Sequence, residues 1–415
     1  MSLLLGVALL GLAVVGRYVL RSWLAPGAYF ALYWSLAFVV PIVALPSDLV
    51  PVGALLWVAL AVAAVGIGSV LPYRIATKES VTGWVPTGRE VATLTRAMIV
   101  CSGIGLGAPL VAMWTAGFSI SDVFSTDTLF TMARVFSVGR YEQTYEPPGL
   151  SQALLPFLLA APLLGGVVAA SAARPAQRFL SVFPFLPALA MTLSQTQRAV
   201  TLNALVLWLS GYLATRVARG FEGLFTRRHV VVGGASTIAF FGLFFLAGWA
   251  RLAAVQRDVL RDVGVKVMGT AVGHATVFGR WFDSHAFSDV SPTWGVYTLA
   301  GPMERLGLGQ RKPGLFEESL VLDNGDDSNL YTVFRPLIED FTVAGALLVL
   351  VLAGIVAGAA YVQARNGRLV AVTVLAAFYA STLYGFVTSI WIYNSVSAAF
   401  LLCGLVLWRL RAVPA

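Results

Sequence analysis

Long apolar stretches separated by short polar segments are the most regular feature of this chain. Most of them approach the roughly twenty residues that a helix needs to cross the hydrocarbon core of a bilayer. The pattern therefore predicts an all-α, polytopic membrane protein with about eleven transmembrane helices. The stretches cover residues 2–16, 24–45, 52–71, 95–116, 149–170, 179–193, 200–214, 230–248, 341–361, 369–387 and 391–408.

The composition excludes a soluble globular protein, because 58% of the residues are hydrophobic and only 12% are charged. The apolar stretches recur from end to end without a low-complexity linker, which predicts a single transmembrane domain over residues 1–415. In a soluble protein, the net charge of +8 would suit a nucleic-acid partner. Here the basic residues lie in short segments between apolar stretches, so we assign the charge to membrane topology and expect no nucleic acid to bind.

Lysine and arginine are concentrated in every second connection between the apolar stretches. Basic connections stay on the cytoplasmic side of a membrane, whereas acidic residues have little influence. The basic set holds 16 of the 28 basic residues but, among the 20 acidic ones, only Glu79, Glu90 and Glu222. We therefore expect the N-terminus outside and the C-terminus inside. The basic set is Arg17, Arg21, Arg74, Lys78, Arg89, Arg96, Arg174, Arg178, Arg216, Arg219, Arg227, Arg228, Arg365, Arg368, Arg409 and Arg411.

Two long loops then remain on the outer face, residues 117–148 and 251–335. Long loops of this kind tend to carry function. The first loop gathers Arg134, Arg140, Tyr141 and Glu142. Guanidinium groups can hold a diphosphate, aromatic rings can stack on sugars and a carboxylate can accept a hydroxyl proton, so these residues suit a sugar phosphate. The alternative is a solvated loop with salt-bridged charges.

Arg198 lies in the short outer connection between two apolar stretches, against the usual preference of arginine for the inner side. One interpretation is that it faces a polar cavity and holds an anion; the alternative is an arginine that reaches to lipid headgroups. In the second loop, Arg257 and Arg261 share a helix face and could extend a basic wall. Asp258 and Asp262 interleave with them, and a self-neutralised surface helix is the alternative.

The chain offers no convincing metal site. His274 and His285 are isolated, and the acidic segment 323–327 contains the Asn and Gly of a turn. We therefore expect neither a metal nor another cofactor. The two cysteines, Cys101 and Cys403, lie in apolar stretches and predict packing rather than a disulfide.

Three segments of the second loop and the following span resemble the Wzy-type oligosaccharide repeat-unit polymerases of bacterial surface polysaccharide synthesis. They read VGHATVFGRWFD, WGVYTLAGPMERLGL and SNLYTVFRPLIEDFTVAGALL, in this order. The third segment resembles the family most specifically, because an Asn-any-Tyr-Thr sequence is followed by an Arg, an Asp-Phe pair and a small residue. The matching positions are Asn329, Tyr331, Thr332, Arg335, Asp340, Phe341 and Gly345.

The resemblance implies glycosyl transfer at the periplasmic side of the bacterial inner membrane. The substrates would be glycans on undecaprenyl diphosphate, and a chain-length-regulating co-polymerase would be a partner. We expect an inverting, metal-independent displacement in which Arg198, Arg140 and Arg335 hold the diphosphate. The base would be Glu142, His274 or Asp340. Further substrate-binding candidates are Arg134, Tyr141, Arg257 and Tyr331.

Other interpretations stay open. Asp340 could cap the ninth span and pair with Arg335, which would give both a structural role. An O-antigen ligase would transfer the glycan from undecaprenyl diphosphate to lipid A core, although the FRPLIEDF segment resembles the polymerases more closely. A transporter of lipid-linked glycans would carry polar residues in the middle of several spans, whereas here they are concentrated in the outer loops.

Overall fold

The computed structural model is almost entirely helical in the part of the chain that it describes. That part comprises residues 2–44, 50–76, 83–125, 128, 131–132, 135–136, 139, 145–195, 197–223, 242, 272–288, 291–309, 316, 318–323 and 327–411. Its helices are α1 (Ser2–Leu20), α2 (Pro26–Ala44), α3 (Val52–Ala76), α4 (Gly88–Thr115), α5 (Gly149–Ser171), α6 (Pro175–Leu180), α7 (Phe185–Gln195), α8 (Arg198–Ala218), α9 (His274–His285), α10 (Ala300–Arg305), α11 (Phe334–Arg365), α12 (Leu369–Tyr384) and α13 (Asn394–Arg411). Short 3₁₀ helices cover Ile120–Phe124 and Ile390–Ile392, and strands β1 (Leu320–Val321) and β2 (Asp327–Ser328) form an antiparallel hairpin.

The helices agree with the predicted class of an all-α, multi-pass membrane protein. Within the described residues, seven helical segments are long and apolar enough to cross a membrane, with α6 and α7 counted as one. Three shorter apolar helices lie within α1, α12 and α13. The predicted stretch 230–248 falls almost wholly outside the described residues, and each of the other stretches coincides with a helix. The number of spans and their orientation stay predictions.

Contacts divide the chain into two compact units. The first comprises Met1–Val85, Arg216–Leu224 and Met268–Asn394. In it α3 packs along α11, α1 and α2 pack on each other and on α3, and α9 contacts α2, α3 and α11. Its core is rich in aromatic rings: Phe334 lies 4.2 Å from Trp34, 5.1 Å from Trp57 and 5.7 Å from Phe278 between ring centroids.

Small residues allow α3 and α11 to approach backbone to backbone. A Cβ atom added at Gly68 would collide with the carbonyl oxygen of Val351. One added at Gly358 would lie 2.7 Å from the carbonyl oxygen of Ser69. Interfaces of this kind are typical of membrane helices, which gain stability from close packing rather than from hydrophobic burial.

Replacing Gly68 with alanine is expected to lower the free energy of unfolding by about 1–3 kcal/mol, because the added methyl group must push two backbones apart. Gly66 is a matched control, since a Cβ atom at this position of the same helix meets nothing within 4 Å. Gly66→Ala should leave the stability unchanged or increase it slightly. Thermal unfolding of both variants in detergent measures the difference; equal stabilities would contradict the close contact between α3 and α11.

The second unit comprises Pro86–Thr215, Phe225–Val267 and Ser395–Ala415. Here α4 packs closely along α5, and both contact α7. Gly105 is essential to the contact between α4 and α5, because a Cβ atom there would lie 2.5 Å from the Cα atom of Leu158. Helix α4 begins with a capping box in which Thr87 and Glu90 exchange side-chain and backbone hydrogen bonds.

A break within α11 separates its first two turns from its long apolar part. Thr342 has φ 67° and ψ 170°, a conformation that is essentially restricted to glycine. The indole nitrogen of Trp57 donates a hydrogen bond to the carbonyl oxygen of Val343 at 3.3 Å, directly after the break. The break coincides with the predicted start of the ninth span, so residues 334–341 form a short helical segment of their own.

Candidate functional site

The three segments that carry the family resemblance meet around residues 334–341 in the first unit. From the first segment, Phe278 packs on Phe334, and the ring of Trp281 lies 5.2 Å from the guanidinium carbon of Arg335. From the second, the backbone of residues 297 and 298 donates hydrogen bonds to Asp340. Segments that are separated by up to about sixty residues in the chain therefore build one cluster.

Arg335 is the centre of this cluster. Its side chain is only 8% exposed. The guanidinium carbon lies 3.9 Å from the ring centroid of Phe316 and 4.1 Å from that of Tyr331. The aromatic rings lie against the faces of the guanidinium plane and leave the edge of this plane free for hydrogen bonds. We call Arg335 with Trp281, Phe316 and Tyr331 the arginine cage.

Two carboxylates bind the edge of this guanidinium group. Glu339 accepts from Nε at 2.8 Å and is 18% exposed, and Glu318 accepts from Nη2 at 3.1 Å and is 68% exposed. The third nitrogen, Nη1, is buried and has no hydrogen-bond partner among the residues that the structure describes. Leaving charged donors unsatisfied in a buried position is costly. The guanidinium group of the arginine cage therefore binds one largely buried and one exposed carboxylate through two of its three nitrogens.

Tyr331 forms one wall of the cage and fixes Glu318. Its hydroxyl donates a hydrogen bond to the backbone carbonyl of Glu318 at 3.0 Å. Burial raises the pKa of the Tyr331 phenol above its ordinary value, which keeps it a neutral donor. The next residue, Thr332, is fully buried with φ 63°, an uncommon conformation for a β-branched residue. Its hydroxyl accepts from the amide of Phe334 at 3.3 Å, at the entry to α11.

Asp340 holds the turn of the second segment in place. Its Oδ1 atom accepts from the hydroxyl of Thr293 and from the amide of Tyr297, the latter at 3.0 Å. Oδ2 accepts from the amide of Thr298 at 2.6 Å. The carboxylate thus caps this turn rather than the start of its own span, and Arg335 pairs with Glu318 and Glu339 instead. A fully buried carboxylate that accepts three hydrogen bonds is well suited to positioning this turn.

His274 has a structural hydrogen bond as well. Its Nε2 atom donates to the carbonyl oxygen of Ala37 at 2.9 Å. Within α2 this carbonyl would normally accept from residue 41, but Pro41 has no amide hydrogen. The imidazole therefore replaces the hydrogen bond that the proline removes. This gives the buried histidine at the start of α9 a structural role, and its role as a base stays a prediction.

An apolar cavity of about 470 Å³ lies beside the same helical segment. Leu337 and Phe341 line it from the segment, and α11 and α12 contribute further aliphatic side chains. Thr298 and Ser389 lie on its wall, where the Ser389 hydroxyl donates to the Thr298 carbonyl at 2.6 Å. Residues 337 and 341 repeat at helical spacing and lie on a different face from Arg335, so the cavity and the arginine cage occupy different sides of the segment.

Arg198 belongs to the second unit, where it begins α8 and is half-buried. A cation at a helix N-terminus is unfavourable unless an anion or polar groups compensate it. Nearby, the hydroxyl oxygens of Thr192 and Thr201 lie 2.7 Å apart. The side-chain Nε2 of Gln197 donates a hydrogen bond to the side-chain Oε1 of Gln195 at 3.0 Å. This polar connection fits the polar-cavity interpretation, and anion binding by Arg198 stays a prediction.

Five other predicted site residues lie outside the described residues: Arg134, Arg140, Tyr141, Glu142 and Arg257. Their proposed roles stay predictions. The two carboxylates that bind Arg335, Glu318 and Glu339, were not predicted from the sequence. Glu339 could have been found from its spacing of four residues after Arg335 on a helix, whereas Glu318 could not.

In the part of the chain that the structure describes, no group of three or more His, Cys, Asp or Glu side chains could hold a metal ion.

Comparisons with known proteins do not identify a family for this chain. No family model, no curated protein and no solved structure matches this chain.

Proposed function

We propose that the chain is a Wzy-type polymerase that joins oligosaccharide repeat units carried on undecaprenyl diphosphate. The observation that carries this proposal is the convergence of the three resembling segments on one buried arginine, whose Nη1 atom has no partner among the described residues. Transfer of a glycan from a diphosphate releases an anion, and buried, preorganised cations stabilise such a leaving group. The apolar cavity beside residues 334–341 is suited to the hydrocarbon chain of a lipid-linked substrate.

Arg335 holds the leaving diphosphate in this proposal. Among the described residues, its Nη1 atom has no hydrogen-bond partner, and Nη2 becomes available when the exposed Glu318 side chain turns away. Two neighbouring nitrogens of one guanidinium group can bind phosphate oxygens bidentately. Glu339 keeps the guanidinium plane in place through Nε and has a positioning role.

Glu318 is the base in this proposal. It is the more exposed of the two carboxylates, so an acceptor hydroxyl can reach it. The hydroxyl oxygen attacks the anomeric carbon of the donor glycan, and its proton passes to the Glu318 carboxylate. The bond between that carbon and the phosphate oxygen breaks, and its electron pair leaves with the diphosphate. The attack from the opposite side inverts the anomeric centre.

The active site faces the periplasm and the basic connections face the cytoplasm in this proposal. About eleven spans give the N-terminus outside and the C-terminus inside. Arg198 is proposed as a second cation for anionic substrate, and Glu142 as a further candidate base in the first outer loop. A chain-length-regulating co-polymerase is the proposed protein partner.

Replacing Glu318 with glutamine tests the assignment of the base. We expect polymer formation to fall by about 10²–10⁴-fold, as is typical when a general base is lost. Asp323→Asn is the matched control, since Asp323 is also an exposed carboxylate that binds an arginine, Arg280, at 2.7 Å. The measurement is the rate of glycan chain growth by purified variants in proteoliposomes with lipid-linked repeat units.

The control variant should retain most of its activity, since it changes a similar ion pair outside the arginine cage. Thermal unfolding of both variants verifies that they are folded. Wild-type rates for Glu318→Gln would remove Glu318 from the mechanism and return the role of the base to the other carboxylates.

A further inference from the structure

A second cavity, lined by charged residues, lies in the first unit, away from the arginine cage along α11. Its volume is about 690 Å³, and Arg21, Arg74 and Arg365 line it together with Glu222. Helices α1, α3 and α11 all end at or near this cavity. The charge pattern of the sequence assigns these four residues to the same side of the membrane, and the fold brings them to the same end of the unit.

The wall of the cavity is organised by specific hydrogen bonds. The buried hydroxyl of Ser22 donates to the backbone carbonyl of Glu222 at 3.0 Å. The Glu222 carboxylate binds Nη2 of Arg365 at 3.1 Å. This ion pair neutralises one of the three arginines. Arg21 and Arg74 are both exposed, so the described residues that line the cavity include three arginines and one carboxylate.

Helix ends and membrane topology explain only part of this charge. Each helix C-terminus has a partial negative charge of roughly half a unit, which favours a nearby cation. This accounts for a basic residue in the last turn of each helix. It does not account for an open volume of 690 Å³ between them, which falls within the range of ligand sites. Arg21 also has φ 56°, a backbone conformation that is uncommon outside glycine.

The lining of the cavity has an apolar side as well. Val19, Val70 and Val362 contribute one aliphatic side chain from each of the three helices. The Tyr73 and Asn366 side chains add polar groups beside the arginines. A cation-rich cavity with an aliphatic side matches a phosphate group that is attached to a lipid. Basic cavities between helices at the inner membrane surface bind such headgroups.

We propose that this cavity binds a phosphate group, with Arg21 and Arg74 as the ligands and the Glu222–Arg365 pair as the fixed wall. An anionic phospholipid is the source that the aliphatic side favours, and a soluble phosphate is the other source of the same chemistry. The proposal does not depend on the proposed polymerase function, because none of these residues belongs to the arginine cage.

The test measures thermal stabilisation of the purified full-length chain by added ligands. The probes are phosphatidylglycerol and phosphatidylcholine in mixed micelles, and inorganic phosphate without lipid. We expect phosphatidylglycerol to stabilise the wild type, and Arg21→Gln with Arg74→Gln to weaken its apparent affinity by about tenfold to thirtyfold. The control exchanges Arg17 and Arg368, two basic residues of the same predicted side that do not line the cavity, for glutamine.

The control variant has the same net charge as the test variant and should bind phosphatidylglycerol like the wild type. Stabilisation by inorganic phosphate that is lost only in the test variant would support the site and identify a soluble source. Equal affinity of the test and control variants for phosphatidylglycerol would overturn the proposal. So would a wild type that neither phosphatidylglycerol nor inorganic phosphate stabilises. If the double variant is unfolded, Arg21→Gln alone provides the same comparison.

Discussion

Arg335→Ala is expected to lower polymer formation by about 10²–10³-fold or more if the chain has the proposed function, because the variant lacks the buried cation that is proposed to hold the leaving diphosphate. It should also destabilise the protein by about 3–5 kcal/mol, since Glu339 would be left partly buried without its cation. The two effects are measured separately, as chain growth in proteoliposomes and as thermal unfolding in detergent.

Two further variants separate binding from stability. Arg335→Lys retains the positive charge beside Glu339 but cannot offer parallel donors to a phosphate. It should fold nearly as well as the wild type and form polymer much more slowly. Combining Arg335→Met with Glu339→Gln removes both charges and should recover much of the stability without recovering activity. Normal chain growth by the lysine variant would exclude bidentate binding by Arg335.

Asp340→Asn is expected to destabilise the protein by roughly 3 kcal/mol, because a buried, charged acceptor of three hydrogen bonds is lost. Both carboxylate oxygens accept from donors: Thr293 and Tyr297 bind Oδ1, and Thr298 binds Oδ2. An asparagine has only one acceptor oxygen, so its amide nitrogen must face a donor in either orientation. The measurement is the unfolding temperature of the purified variant.

This result distinguishes a positioning role of Asp340 from a role as base. Replacing a residue that only positions others should lower the stability of the fold at least as strongly as it slows polymer formation, when both effects are expressed as free energies. A variant that unfolds like the wild type but no longer forms polymer would show that Asp340 takes part in the chemistry. Asp323→Asn again provides the control, since Asp323 binds an arginine at an exposed position.

The helices could be predicted because long apolar runs leave few alternatives to a spanning helix. The start of the ninth apolar stretch near residue 341 was also predicted from the sequence. The break in the helix at this position was not. Thr342 breaks α11 through its backbone conformation, and nothing in a Thr-Val-Ala sequence indicates a positive φ. The short segment 334–341 and its two faces therefore became visible only in the structure.

The site was predicted in part. Arg335 and Tyr331 were selected from the family resemblance, and the structure brings them together in the arginine cage. The partner Glu318 is not predictable from spacing, because the β1–β2 hairpin places it there through long-range contacts. His274 illustrates the same limit: Pro41 shows that a carbonyl is freed in α2, but not which side chain will bind it.

The proposed polymerase function is tested most directly when the purified wild-type chain is supplied with lipid-linked repeat units alone, without lipid A core and without other enzymes. We expect a ladder of glycans on undecaprenyl diphosphate, each longer than the previous by one repeat unit. A folded protein that leaves the repeat units single would contradict it, whether the glycan is then transferred only when lipid A core is added or is merely moved across the membrane.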